Sequence, residues 1–124
     1  MKLNNKLYSI ESQSIENGEG HFLIRMNPLC EIYAAHFPGD PITPGVCILQ
    51  IGLDLVGLCA GCPVEIIQVK NMKFLSILRP EGADVEVNLR IGSGDGGAFK
   101  AQADLSREGT PVAKMSLICR KIAR

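Results

Sequence analysis

The chain has 124 residues, which is enough for one domain with one hydrophobic core and too few for two ordinary domains. Its 13 basic residues balance its 13 acidic ones, so it lacks the positive excess on which nucleic-acid or membrane-surface binding depends. Because no run of about 18 apolar residues is present, we predict no membrane span.

The five cysteines are scattered, and no apolar leader core precedes them, so we expect reduced thiols and a cytoplasmic location. Cys59 and Cys62 have the C-x-x-C spacing of a redox pair or half a zinc site. The sequence offers no second such pair, and its only histidines are His21 and His36. We therefore interpret both cysteines as small apolar side chains near a helix end, and we expect no metal or nucleotide cofactor.

The first two predicted elements are β-strands. Residues 7–15 and 21–26 flank a turn with Asn17 and Gly18, which is typical of a β-hairpin. A loop is predicted to follow and to lead to a turn that begins at His36.

Residues 45–60, GVCILQIGLDLVGLCA, have the length of a four-turn helix. Pro44 and Gly45 suit its first turn, and Gly61 suits the position just past its end. Because the helix is apolar on nearly every side, we predict that the rest of the chain encloses it.

Strand-like stretches separated by turn-rich joints make up the remainder of the chain. Several of them alternate polar and apolar residues, as antiparallel strands with one wet face do. The predicted strands, which we expect to form a meander, are residues 64–75, 83–91, 98–106 and 112–119.

The segment that leads into the helix, HFPGDPITPGV, contains three prolines and two glycines after His36. It resembles the H-F-P-G-x-P-x-x-P-G-V signature of the hotdog-fold (3R)-hydroxyacyl-[acyl-carrier-protein] dehydratases. The later KNMKFLSILRPEGADVEV is similar to a second region of that family, with Lys73 and Phe74 matching and Glu81-Gly82 replacing the usual Gly-Asp. The resemblance covers residues 7–121.

The resemblance implies one α+β hotdog domain over residues 1–124, in which a curved antiparallel sheet wraps around one long central helix. It also implies that His36 is the catalytic base and that the Gly45 N–H binds the thioester carbonyl. A neutral imidazole suits the first role near pH 7, and a helix N-terminus suits the second. Further substrate contacts are expected from Phe37, Pro38, Gly39 and Val46.

The sequence departs from the family at the second catalytic position. There the family has Glu or Asp, four residues past the Val of P-G-V, and this chain has Gln50. Asp54 follows one turn later on the same helix face. An amide cannot transfer a proton at neutral pH, so Asp54 is the candidate replacement acid, with Gln50 beside it. The alternative is that Asp54 caps backbone groups or pairs with a basic residue.

The leading functional prediction is dehydration of a (3R)-3-hydroxyacyl thioester to the trans-2-enoyl thioester. A hotdog thioesterase, with Asp54 activating water, is the first alternative. A catalytically incomplete acyl-binding or partner subunit is the second.

Acyl carrier protein or an acyl-CoA thioester is the expected partner, and a homodimer or a homo-oligomer of dimers is the expected assembly. The acyl chain requires an apolar tunnel, for which Leu49, Leu53 and Val56 are candidates. A basic rim for the acidic carrier is predicted from Lys70, Lys73, Arg79, Arg120 and Lys121.

Overall fold

A computed structural model describes residues 7–94 and 96–122. Within them the elements are, in chain order, β1 (Tyr8–Glu16), β2 (Glu19–Met26), α1 (Ile32–Ala35), α2 (Gly45–Ala60), β3 (Val64–Phe74), β4 (Val85–Ile91), β5 (Ala98–Arg107) and β6 (Thr110–Lys121). The six strands form one antiparallel sheet in the order β1-β2-β4-β5-β6-β3. The predicted α+β arrangement, a curved antiparallel sheet against one main helix, is confirmed.

The predicted hairpin is confirmed as β1 and β2. Asn17 and Gly18 connect the two strands, and both have positive φ angles, of 50° and 76°. A two-residue turn of this kind matches the twist of the strands that it joins. An added Cβ at Gly18 would lie 3.1 Å from the backbone oxygen of Ile91, so the turn also packs closely on β4.

The predicted central helix is confirmed with the same bounds. Pro44 is its N-cap, and Gly61 ends it in the left-handed conformation at φ 77°. One face is buried against the sheet. An added Cβ at Gly52 would lie 2.4 Å from Met115 Sδ, so glycine at this position lets α2 approach β6 closely. The buried residues of α2 are Cys47, Ile48, Ile51, Gly52, Leu55 and Val56.

The prediction that the chain encloses this helix on all sides is wrong. Val46 is 72% exposed and Leu58 is 43% exposed, while Gln50, Leu53 and Asp54 between them are only partly buried. The physical reason is that one sheet of one chain covers only one side of the helix. An apolar helix face is therefore left at the surface of the subunit.

Two further differences concern connectivity. β4, β5 and β6 form the predicted meander, but β3 does not join it in sequence order. It pairs with β6 at the far edge of the sheet, so the connection from β3 to β4 crosses the sheet. The segment predicted as a loop before His36 contains the short helix α1. No helix among residues 7–94 and 96–122 is long and apolar enough to cross a bilayer.

Leu55→Ala should lower the free energy of unfolding by about 2–5 kcal/mol, because the fully buried Leu55 side chain would leave a cavity between α2 and the sheet. Leu58→Ala, three residues later at an exposed position, is the matched control and should cost roughly 1 kcal/mol or less. Urea unfolding of both variants checks the difference. Equal losses would contradict the assignment of the two helix faces.

Candidate active site

His36 ends α1 and begins a tightly hydrogen-bonded loop. The N–H of Asp40 donates to the carbonyl oxygen of Phe37 at 2.9 Å, which closes a four-residue turn. Pro38 and Gly39 occupy its centre, and Gly39 has the positive φ of 78° that this position favours. The N–H of Ile42 then donates to the carbonyl oxygen of His36 at 2.9 Å. The prolines and glycines of the motif therefore fix the backbone that carries the imidazole.

Two buried contacts anchor this loop to the fold. The hydroxyls of Tyr33 in α1 and Thr43 in the loop are hydrogen-bonded at 2.7 Å, and burial is the main cause of the raised pKa of Tyr33. The Thr43 N–H donates to the carbonyl oxygen of Leu78 at 2.8 Å. On the surface, Asp40 forms an ion pair with Arg79. Asp40 thus helps to hold the loop in place.

The His36 side chain is exposed, and its ring meets that of Phe37 edge-on at a centroid distance of 5.7 Å. Beyond the loop, α2 begins at Gly45. Its first hydrogen bonds are donated by Cys47 and Ile48 to the carbonyl oxygen of Pro44. The N–H of Gly45 precedes these bonds, so the helix itself does not use it.

An added Cβ at Gly45 would lie 2.7 Å from Cζ of Phe74, at the end of β3. Glycine at this position therefore lets an aromatic ring stand against the start of α2. In the sequence, Phe74 is only a match to the second region of the dehydratase family. Its place beside Gly45 depends on the pairing of β3 with β6. It is a site neighbour that the sequence did not reveal.

The amide and the acid on α2 form one polar cluster. Gln50 Nε2 donates to Asp54 Oδ1 at 2.9 Å. The hydroxyl of Tyr8, from β1, donates to Asp54 Oδ2 at 3.2 Å. Both carboxylate oxygens thus act as acceptors. Asp54 leans toward the N-terminus of the helix, as helical side chains do, and this brings its carboxylate back to the end of the Gln50 side chain.

This cluster stands at one end of a pocket of about 510 Å³ that lies along the outward face of α2. The helix residues that line it repeat at helical spacing, and the start of β3 closes the other side. The lining is Gln50, Leu53, Asp54, Gly57, Leu58, Gly61, Cys62, Pro63 and Val64. A largely apolar slot with an acid and an amide at one end is suited to a chain-like ligand that carries one polar group.

The predicted site residues therefore fall into two groups. Gln50, Leu53 and Asp54 meet in the pocket, whereas His36 ends α1 in the loop before α2 and Gly45 begins α2. Nine residues separate Gly45 from Asp54 in the same helix, so their Cα atoms are about 13 Å apart along the axis. Phe37, Pro38, Gly39 and Val46 belong to the His36 group.

Two of the predicted tunnel residues do not line the pocket. Leu49 is partly buried against the core, and Val56 is fully buried in it. Of the pocket residues that the sequence missed, Gly57 and Leu58 follow Leu53 at helical spacing, so the period of α2 was the signal that could have found them, whereas Cys62, Pro63 and Val64 lie past the helix.

All five cysteines are free thiols. Cys62 lines the pocket, whereas burial raises the pKa of Cys59 and raises that of Cys119 to about 11. Within the described part of the chain, no three or more His, Cys, Asp or Glu side chains converge as a metal site would need.

One curved antiparallel sheet against one main helix is the hotdog fold, and the loop that carries His36 precedes that helix. The sequence profile of the ApeI dehydratases (ApeI-like) matches residues 12–113, which is most of the chain. The chain therefore belongs to the ApeI-like dehydratase family.

A curated relative supports the same class. The 3-hydroxyacyl-[acyl-carrier-protein] dehydratase FabZ of Syntrophobacter fumaroxidans is 30% identical over 94 residues. The alignment covers 69% of this chain and 63% of that enzyme, so it spans less than two thirds of the relative.

Solved structures share the fold at low sequence identity. The dehydratase heterocomplex ApeI:P from Xenorhabdus doucetiae contains a chain with a TM-score of 0.67 and 17% identity, over 90% of this chain and 96% of that one. A hypothetical thioesterase with coenzyme A from Streptococcus pneumoniae has a TM-score of 0.68 and 12% identity, over 94% and 87%. A homologue of HP0420 from Helicobacter felis has a TM-score of 0.72 and 9% identity, over 95% and 90%. These identities bear on the fold alone.

Proposed function

We propose that the chain dehydrates a (3R)-3-hydroxyacyl thioester to the trans-2-enoyl thioester, with His36 and Asp54 as the proton-transfer groups. The observation that carries this proposal is the 2.9 Å hydrogen bond from Gln50 to Asp54. Gln50 occupies the position of the family's acid, and the bond places a carboxylate directly beside the end of its side chain. The acid function has moved one helical turn along the sequence and only a short distance in space.

The reaction assigns one task to each group. The His36 imidazole takes a proton from C2 of the substrate, and the negative charge that develops on the thioester oxygen is stabilised by the Gly45 N–H at the start of α2. The C3–O bond breaks as the hydroxyl receives a proton from the carboxyl of Asp54, so water leaves. Solvent then takes the proton from His36 and supplies one to the carboxylate of Asp54, which completes the cycle. Gln50 holds the hydroxyl or a bridging water.

Within one chain, the Cα atoms of Gly45 and Asp54 lie about 13 Å apart along α2, whereas the groups that act on the substrate must reach adjacent carbon atoms. Two copies of the chain solve this problem if the His36 loop of one faces the pocket of the other. The resemblance to the hydroxyacyl dehydratases, whose sites lie across dimer interfaces, supports this arrangement. We therefore propose that each complete site uses His36 from one subunit and Asp54 from another.

The surface of the chain supports such a dimer. β3 is an edge strand of 11 residues, and most of its side chains are exposed, among them the apolar Ile67, Val69 and Phe74. A long edge with exposed apolar side chains is a template for pairing with a second strand. Val46, at the start of α2, adds another exposed apolar side chain. Pairing of two β3 strands would continue the sheet from one subunit into the next.

The acyl chain is proposed to enter the pocket beside Leu53 and to run toward the C-terminal end of α2. We propose acyl carrier protein as the donor, with acyl-CoA as the smaller alternative, and the cytoplasm as the location. The five basic residues predicted as a docking rim are all exposed, although Arg79 is paired with Asp40. Arg120 and Lys121 on β6 lie opposite Glu65 and Val64 in the register with β3. Because Val64 lines the pocket, both basic residues lie near the end of the pocket.

A thioesterase is the second candidate, because Asp54 accepts hydrogen bonds on both oxygens. An ionised carboxylate in that state is suited to activating a water molecule, which would then attack the thioester carbonyl. A subunit that depends on a homologous partner is the third candidate. It is favoured by the ApeI:P neighbour, which is itself a heterocomplex.

Turnover of a 3-hydroxyacyl thioester separates these candidates, with enoyl absorbance and free thiol measured together. The wild type should form the enoyl product without thiol release. His36→Ala should lose about 10²- to 10⁴-fold in rate, as should Asp54→Asn, since each loses a proton-transfer group. His21→Ala is the matched control, because His21 lies on the exposed sheet face with Asn88 and should retain full activity.

Thiol release without enoyl product would replace the dehydratase with a thioesterase. A silent wild type that Gln50→Glu activates would instead show a subunit that lacks its acid. Full activity of His36→Ala would contradict the proposed base.

Ile67→Asp should convert the dimer to a monomer, because it places a charge at an apolar position of the β3 edge that is 45% exposed. Ile15→Asp is the matched control, since Ile15 is 39% exposed on β1, at the opposite edge of the sheet. Sedimentation velocity should show the monomer mass for the first variant and the dimer mass for the second. A wild type that sediments as a monomer would contradict the proposed assembly.

A further inference from the structure

Tyr8 belongs to the polar cluster although it lies far from the rest of the site in sequence. It is the first residue of β1, pairs with Met26 on β2 and is 1% exposed. The N–H of Asn27 donates to the carbonyl oxygen of Leu7 at 2.8 Å, which holds the chain just before it. From this fixed backbone the Tyr8 ring reaches across the core to α2, and its hydroxyl ends at Asp54.

Packing alone does not explain a tyrosine at this position. A phenylalanine would fill the same space without burying a hydroxyl, which costs free energy unless the hydroxyl finds a partner. Burial raises the pKa of Tyr8, and the negative charge of Asp54 and the hydrogen bond to it raise it further. The phenol therefore keeps its proton and donates it to a hydrogen bond. It is not itself a proton-transfer group.

The two donors hold Asp54 from different directions. Gln50 donates to Oδ1 from one turn earlier on the same helix, and Tyr8 donates to Oδ2 from the start of strand β1. A short side chain held at both oxygens has its carboxylate plane fixed. Fixing a proton-transfer group in position before the substrate binds raises the rate of the catalysed reaction.

We propose that Tyr8 is a positioning residue of the site: its hydroxyl holds the Asp54 carboxylate toward the Gln50 end of the pocket, where the leaving hydroxyl must receive its proton. This inference rests on the proposed function, in which Asp54 takes part in proton transfer. It assigns to β1 a part in the reaction that neither the motif nor the helix contains.

The other tyrosine shows the contrast. Tyr33 is also buried, and its hydroxyl bonds to the neutral Thr43 beside the histidine loop, not to a group that lines the pocket. Both tyrosine side chains are buried, and each loses one hydrogen bond on change to phenylalanine. Tyr33→Phe is therefore a matched control for stability and for the spectroscopic test below.

The kinetic test is a double-mutant cycle of Tyr8→Phe and Asp54→Asn. The wild type, both single variants and the double variant are each assayed as the full, assembled chain. Tyr8→Phe should lower kcat about 10- to 100-fold and leave KM within about threefold, since it misplaces the acid without altering the acyl pocket. In the Asp54→Asn background the same change should have no further effect, because Tyr8 acts through that carboxylate. Full kcat in Tyr8→Phe, or an equal loss in both backgrounds, would overturn the proposal.

A spectroscopic test stands independently of turnover. Carbon-13 NMR of aspartate carboxyls, with the Asp54 resonance identified by its disappearance in Asp54→Asn, should show that resonance shifted in Tyr8→Phe and unshifted in Tyr33→Phe. An unshifted resonance in Tyr8→Phe would overturn the inference even in an active enzyme. If the Asp54 resonance shifts in Tyr8→Phe but the wild type turns over no thioester, the contact is supported and the proposed function is rejected.

Discussion

A carboxylate in the middle of a largely apolar helix is the constraint on which the site depends. Placing Asp54 partly inside the protein costs several kcal/mol unless donors satisfy its charge. The chain supplies one donor from the preceding turn of α2 and another from the start of β1. These bonds tie the first strand to the central helix and turn the carboxylate toward the outward helix face, where the pocket lies. Meeting the needs of the charge thus also shapes the site.

The exchange of acid and amide along α2 follows from the same geometry. Two side chains four residues apart share one helix face, and they touch when the second leans back toward the first. An acid at position 54 can therefore serve nearly the same point in space as an acid at position 50. The exchange adds an amide beside the reacting group, which gives the pocket a neutral donor and acceptor that a second carboxylate could not provide.

Local sequence signals predicted much of the fold because they depend on neighbours in the chain. The Asn17-Gly18 turn and the Pro44 and Gly61 boundaries of α2 agree with the structure for this reason. The edge position of β3 and the contact of Tyr8 with Asp54 depend on pairings between distant residues. No periodicity encodes such pairings, so local sequence patterns could not predict them. The short helix α1 was missed because four residues are too few to show a helical period.

The central claim is that His36 of one subunit works with Asp54 of another, and subunit complementation tests it most directly. Two inactive variants, His36→Ala and Asp54→Asn, would be co-expressed with different tags, and the mixed dimer would be purified and assayed. In such a dimer one site carries both substitutions and the other carries neither. The account predicts about half of wild-type activity per mixed dimer. Activity no higher than that of the two parent variants would contradict it, because each site would then take both residues from the same chain.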